Sequence, residues 1–328
     1  MGWRGDLNKA GIDSDGLNVR IPLGDLTARN IVTRKAKVWY VYNGMTSSGV
    51  GKSWATAFKT IQEGVTAAST GDVVLIDGSY TTVAGTPDGF TEAVTISAAK
   101  PGLSIIGVAN RKRTVWTAAA DAVCLTIGAP DCLIENIWFR PPAYTSGTPA
   151  AIKLTTSVAY RTTIRKCRFQ GKSGSYYGIF SGANADCIIE DNEFIYLNNV
   201  TTVNGTAIST GTSDCSNWVI RRNMFHSNII DVDAQLRQSF VTDNYFPGRG
   251  LAAAGTMSAT LTTKVLDISG AATGYNVVTG NFFGALYQAT GGLFGGGTND
   301  LWSGNFVADR THDTEADDPT GISELVPA

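Results

Sequence analysis

The chain has 328 residues, a formal net charge of −2 and only 16% charged residues, against about a quarter in ordinary globular domains. That balance excludes a generally cationic nucleic-acid binder, and no apolar run approaches the roughly 18 residues of a membrane helix. With 43% apolar residues and 37 glycines, the composition favours short strands joined by tight turns.

In chain order, residues 1–37 hold seven Lys/Arg and four Asp without a periodic frame, and read as an arm. Its opening, MGWRGDLNKAG, lacks an apolar signal core, so synthesis in a host cytoplasm is expected. WYVYNG at 39–44 reads as a strand. GVGKS at 49–53 ends like a phosphate loop, but Thr46 stands where the first glycine is required, so a turn is the better reading. SWATAFKTIQEGVTAAST at 53–70 predicts a helix with Phe58, Ile61 and Val65 on one face. Ser53 or Thr56 is the expected cap, with Gly71 beyond the end. The unit 38–71 would cover the open edge of whatever sheet follows.

From residue 72 onward a repeat dominates. It reads Ile134-Glu-Asn-Ile137-Trp-Phe139, Ile164-Arg-Lys-Cys167-Arg-Phe169 and Ile189-Glu-Asp-Asn192-Glu-Phe194. It continues as Ile220-Arg-Arg-Asn223-Met-Phe225, Val241-Thr-Asp-Asn244-Tyr-Phe246, Val278-Thr-Gly-Asn281-Phe-Phe283 and Trp302-Ser-Gly-Asn305-Phe-Val307. Ile76 and Ile106 extend the frame upstream, at an average spacing of roughly 28 residues, too long for hexapeptide coils and too short for propeller blades. A second apolar position precedes most copies: Ile152, Ile179, Ile208, Ile229, Leu266 and Leu293. Each period therefore holds at least two strands.

One such unit cannot bury its inward face alone, whereas stacked units make a continuous core. The predicted fold is all-β: a single-stranded right-handed parallel β-helix of about nine coils over 72–307, with an N-terminal capping helix. Ile134, Ile164, Ile189, Ile220, Val241 and Val278 should point inward. Asn192, Asn223, Asn244, Asn281 and Asn305 share one frame position. Asn tolerates left-handed backbone and can share amide hydrogen bonds along a stack, so these five are expected to form a structural ladder at the turn. Residues 248–263 fit an enlarged loop, and 308–328, with six Asp/Glu and one Arg, an acidic tail.

The run TAFKTIQEGVTAASTGDVVLIDGSYTT (56–82), followed by the Ile-x-x-Asn-x-Phe coils, resembles the pectate-lyase-like, right-handed parallel β-helix superfamily. The resemblance covers roughly 38–307 and includes lyases, hydrolases and the spike and decoration proteins of bacteriophage particles. Fold alone does not choose among these.

The chemistry-bearing residues weigh against a complete active site. A glycosidase needs two carboxyls about 5–5.5 Å or 6.5–9.5 Å apart, and stacked coils meet this easily. Among Glu190, Asp191, Asp231, Asp233, Asp243 and Asp267, the catalytic candidates under an enzymatic reading are Glu190, Asp231 and Asp233. Asp231 and Asp233 should share a face, and solvated outer-face charge is the competing reading. His226, beside Ser227 and Asn228, reads as a polar turn. Tyr176, Tyr177 and Tyr196 could stack on sugars or simply pack laterally. RKRTVW at 111–116 is too short a basic patch for nucleic acid. Cys124, Cys132, Cys167, Cys187 and Cys215 lack metal-ligand spacing, and only His226 and His312 could join them. Reduced core thiols are expected, with no cofactor and no metal.

Together these readings favour a non-enzymatic structural protein of a bacteriophage particle, a capsid decoration or tail-associated spike. Its expected partners are two further copies in a homotrimer, other virion proteins through the arm, and a host surface glycan, with no nucleic acid or membrane. The alternatives are a polysaccharide-degrading β-helix enzyme and a non-catalytic carbohydrate-binding module.

Overall fold

The computed structural model describes residues 36–78, 82–83, 86–87, 89–108, 114–141, 146–171, 176–197, 205–247, 264–270, 274–284, 294–297, 299–308 and 322–324. The loop 248–263, residues 111–113, and most of the arm and tail lie outside them.

Each full coil contributes three strands, one to each of three sheets of ten, ten and eight strands. Stacking is parallel from rung to rung, as in Ile164 beside Ile189, Phe169 beside Phe194 and Ile152 beside Ile179. The fold is a parallel β-helix. Nine of the ten first-sheet strands fall within 72–307, and Val38–Tyr42 adds the tenth. At about 4.8 Å per rung the rod is about 43 Å long. Among the described residues, no helix is long and apolar enough to cross a membrane.

The six residues expected to point inward from the first sheet are buried. Upstream the register shifts: Ile105, not Ile106, stacks on Ile134, and Ile76 lies beside Gly107. Alternation decides this, since Ile105 is buried and Ile106 faces partly outward. In the third sheet the column runs Ile152, Ile179, Ile208, Val232, Leu266 and Phe294. Val232 and Phe294 therefore replace the expected Ile229 and Leu293.

The capping unit is shorter than predicted. A 3-10 turn covers Trp54–Thr56 and the helix α1 only Ile61–Ala67. Neither Ser53 nor Thr56 caps α1; their hydroxyls pair with each other at 3.0 Å. Thr60 is the cap, in a reciprocal capping box with Glu63. Phe58 stands before the helix and bridges to Val41, extending the first sheet's edge. The other end is partly closed by Ile322–Glu324, which pairs antiparallel with Phe306–Ala308.

An Asn ladder holds the turn between the first and second sheets. Asn192, Asn223, Asn244, Asn281 and Asn305 are all buried. Each of the first four donates from its backbone N–H and from Nδ2 to the next Oδ1, at 3.0–3.1 Å. The left-handed residue is not the Asn but the one before it: Asp191, Arg222, Asp243, Gly280 and Gly304 have φ of 52–67°. That placement turns the Asn side chain into the rod, where its amide reaches a main-chain carbonyl one rung back.

Inside, the repeat's aromatic position builds a continuous stack from Phe139 through Phe169, Phe194, Phe225 and Phe246 to Phe283. Successive ring centroids are 4.6–5.3 Å apart. All six rings are fully buried, in the offset geometry that adds attraction beyond area burial.

Candidate functional site

The three carboxylates singled out in the sequence do not meet. Glu190 belongs to the outer face of the first sheet, where its Oε2 accepts from Arg221 at 2.6 Å and Arg222 at 3.2 Å. Arg165 and Glu135 pair at 2.9 Å further up the same column. This is an alternating charge ladder, in which two guanidiniums hold Glu190 Oε2.

Asp231 and Asp233 do not share a face, contrary to expectation. Asp233 lies outside, but Asp231 is only 1% exposed. It stands in the column between Ala207 and Val265, both core residues. Strict alternation fails here because the third-sheet strand begins at a corner, and Asp231 and Val232 are both buried. Asn228 Nδ2 donates to Asp231 Oδ1 at 3.0 Å, while Oδ2 has no partner. Burial pushes the carboxyl up to about 8, partly opposed by the Asn228 bond. A raised pKa suits a general acid, but this one is sealed from any substrate.

The residues that do converge lie on the outer face of the third sheet. Register stacks Tyr177, Thr206, Ile230 and Lys264 in one column, and Phe180, Ser209, Asp233, Asp267 and Gly295 in the next but two. Lys264 Nζ contacts Asp233 Oδ1 at 3.1 Å and Asp267 Oδ2 at 2.9 Å, so those oxygens are at most about 6 Å apart. Gly295 gives Asp267 its place, since a Cβ there would come within 2.4 Å of Oδ1. Burial disfavours the Asp267 charge, but the Ser269 and Lys264 hydrogen bonds hold its pKa below the ordinary value. Burial also opposes the Lys264 charge, yet Asp267 and Asp233 raise its pKa. Above them Tyr177 packs edge-on to Tyr176, centroids 4.1 Å apart, and tilted against Phe180 at 4.9 Å. Burial first, and then the bond with Tyr176, raise the Tyr177 hydroxyl's pKa.

The carboxylate spacing falls near that of a retaining glycosidase. Spacing alone does not make such a pair, because that reaction also needs one carboxyl holding a proton, and the Ser269 and Lys264 bonds favour Asp267 as an anion. A lysine base would need a lowered pKa, and Lys264 has a raised one. The face can bind through hydroxyl, carboxylate, ammonium and aromatic groups.

Of the other candidates, His226 Nδ1 is 2.8 Å from Ser227 Oγ, and Tyr196 meets the imidazole ring edge-on. Ser227 is in the left-handed turn conformation, which matches a polar turn. Among the described residues, no group of His, Cys, Asp or Glu could hold a metal ion. The sequence reading missed Lys264. The one signal in the sequence is that Lys264 and Asp267 stand three apart; nothing in it brings Asp233 to them.

A rhamnogalacturonan lyase aligns with the chain at 12% identity and TM-score 0.43, over 82% of this chain and 61% of that enzyme's. The chain thus spans less than two thirds of the lyase. Pectate lyase Pel9A aligns at 11% identity and TM-score 0.41, over 82% and 79%. A pectin methylesterase from Aspergillus niger aligns at 14% and 0.40, over 88% and 91%. No protein-family model matches the chain, and no curated protein matches it in sequence.

Proposed function

We propose that this protein is a non-catalytic structural rod that meets a polyhydroxylated ligand through the outer face of its third sheet. The observation that carries this reading is the closed Asp233–Lys264–Asp267 triad beside Tyr176 and Tyr177. One ammonium is shared between two carboxylates, and the aromatics and acceptors suit a saccharide surface. The setting implied by the sequence resemblance is a bacteriophage particle, with residues 1–37 docking on other virion proteins and the rod projecting towards a host glycan. A shaft of this kind requires rigidity, which the buried Asn ladder and aromatic stack supply.

Incubating the full chain with polygalacturonan and with a neutral capsular-type polysaccharide tests the reading. Reducing ends and unsaturated-product absorbance should stay at background, while retention on an immobilised polysaccharide falls in Tyr177→Ala. Turnover that disappears in Asp233→Asn would overturn it in favour of the depolymerase alternative.

A further inference from the structure

The outward columns of the first two sheets change character along the rod. In the second sheet the column runs Arg168, Glu193, Met224, Tyr245, Phe282 and Phe306. The upper two form an ion pair at 3.4 Å, whereas the lower four are apolar and 38–48% exposed. In the first sheet Phe240 and Leu301 are 49% and 56% exposed, on a column with the half-buried Val277 between them. Beside it stand the neutral Thr242, Thr279 and Ser303. The two stripes occupy the same rungs, on either side of the left-handed turn. At that turn Asp243 is exposed, but the rungs beyond it carry only Gly280 and Gly304.

Six such side chains expose on the order of 500 Å² of apolar surface, given the 150–250 Å² that each aromatic can bury. A soluble monomer rarely leaves that much contiguous. It is also about the apolar share of the roughly 800 Å² that each partner contributes to a stable interface. Tyr245 and Phe282 stack on each other at 5.3 Å and 24°, so they turn their faces to one another and their edges outward. A sugar ring needs a free aromatic face, whereas another protein's side chains pack against edges.

We infer that the occupant is a second copy of this chain, with the first-sheet stripe of one rod lying against the second-sheet stripe of the next. Two different stripes on adjacent faces make a heterologous contact, which satisfies every subunit only when it closes into a ring. A ring of three parallel rods is the smallest such arrangement. The uncharged lower rungs and the bare glycine turns let the rods approach there, while the charged upper rungs stay solvated. This inference does not rest on the ligand proposed for the third sheet.

Light scattering on the full chain, before and after mixing two double variants, tests it. Wild type should show three times the 34.6 kDa of one chain. Phe240→Lys with Leu301→Lys, and separately Tyr245→Lys with Phe282→Lys, should each give monomers with unchanged circular dichroism. Mixed together, they retain one intact pair of stripes and should stop at a one-to-one dimer. Monomeric wild type would overturn the proposal and leave residues 1–35 as the cover. A homodimer of either variant would overturn the heterologous arrangement.

Discussion

Asn223 donates from Nδ2 to Asn244 Oδ1 at 3.1 Å, and the same oxygen accepts the Asn223 backbone N–H at 3.0 Å. Asn223 also accepts twice from Asn192 and donates to the Ile189 carbonyl. Asn305, the last of the ladder, accepts twice from Asn281 but donates only to Val278. Each buried group left without a partner costs about 1–3 kcal/mol. Asn223→Ala should therefore lower the melting temperature clearly more than Asn305→Ala. Side-by-side thermal melts check this, and equal losses would mean that the bonds do not act as a ladder.

Asp231 should make stability fall with rising pH. Its folded pKa of about 8 lies well above the ordinary value near 4. Between these limits the native state holds the extra proton, so stability declines by up to about 1.4 kcal/mol per pH unit. Below that window the contribution is fully present, and above it the loss is complete. In Asp231→Asn the slope should flatten, so the variant gains on wild type from pH 4 to pH 8. Urea melts at pH 4, 6, 8 and 9 measure the difference. Parallel curves would show that Asp231 ionises as freely in the rod as in the unfolded chain.

All five cysteines are free and buried. Cys132 and Cys187 sit two rungs apart at equivalent turns, and burial pushes both thiols up to about 12. A thiol reagent should find no reactive group in the native protein and five after denaturation without reductant. Fewer than five would reveal a disulfide that the described packing does not allow.

Phe194 stacks between Phe169 at 4.6 Å and Phe225 at 5.0 Å. Phe194→Ala removes a ring from the middle of the column, at about 3–5 kcal/mol for a buried aromatic. Phe194→Leu keeps most of the volume and should cost well under half of that. Denaturant midpoints distinguish the two, and similar losses would mean that ring stacking, not volume, holds the column.

Much of this was legible in the repeat. The Ile-x-x-Asn-x-Phe frame spans the first-sheet strand, the turn and the second-sheet strand without insertion, so its rungs align by counting. Inward residues, the positions of the five Asn and the buried ring column follow directly from it. The left-handed position is one residue earlier than residue preference suggests, because Asn serves here as a side-chain donor and acceptor, and its neighbour takes the backbone bend.

The third sheet was not legible in the same way. Its strands follow turns of variable length, so counting cannot say which residues share a rung. Its corner also buries two consecutive residues, which separates Asp231 from Asp233 although they are two apart in sequence. Periodicity is a local property of a strand, and it determined the coils, their core and their ladders. Which carboxylates meet, and which lysine stands between them, depends on register between segments some 30 residues apart, and only the stacked tertiary structure decides that.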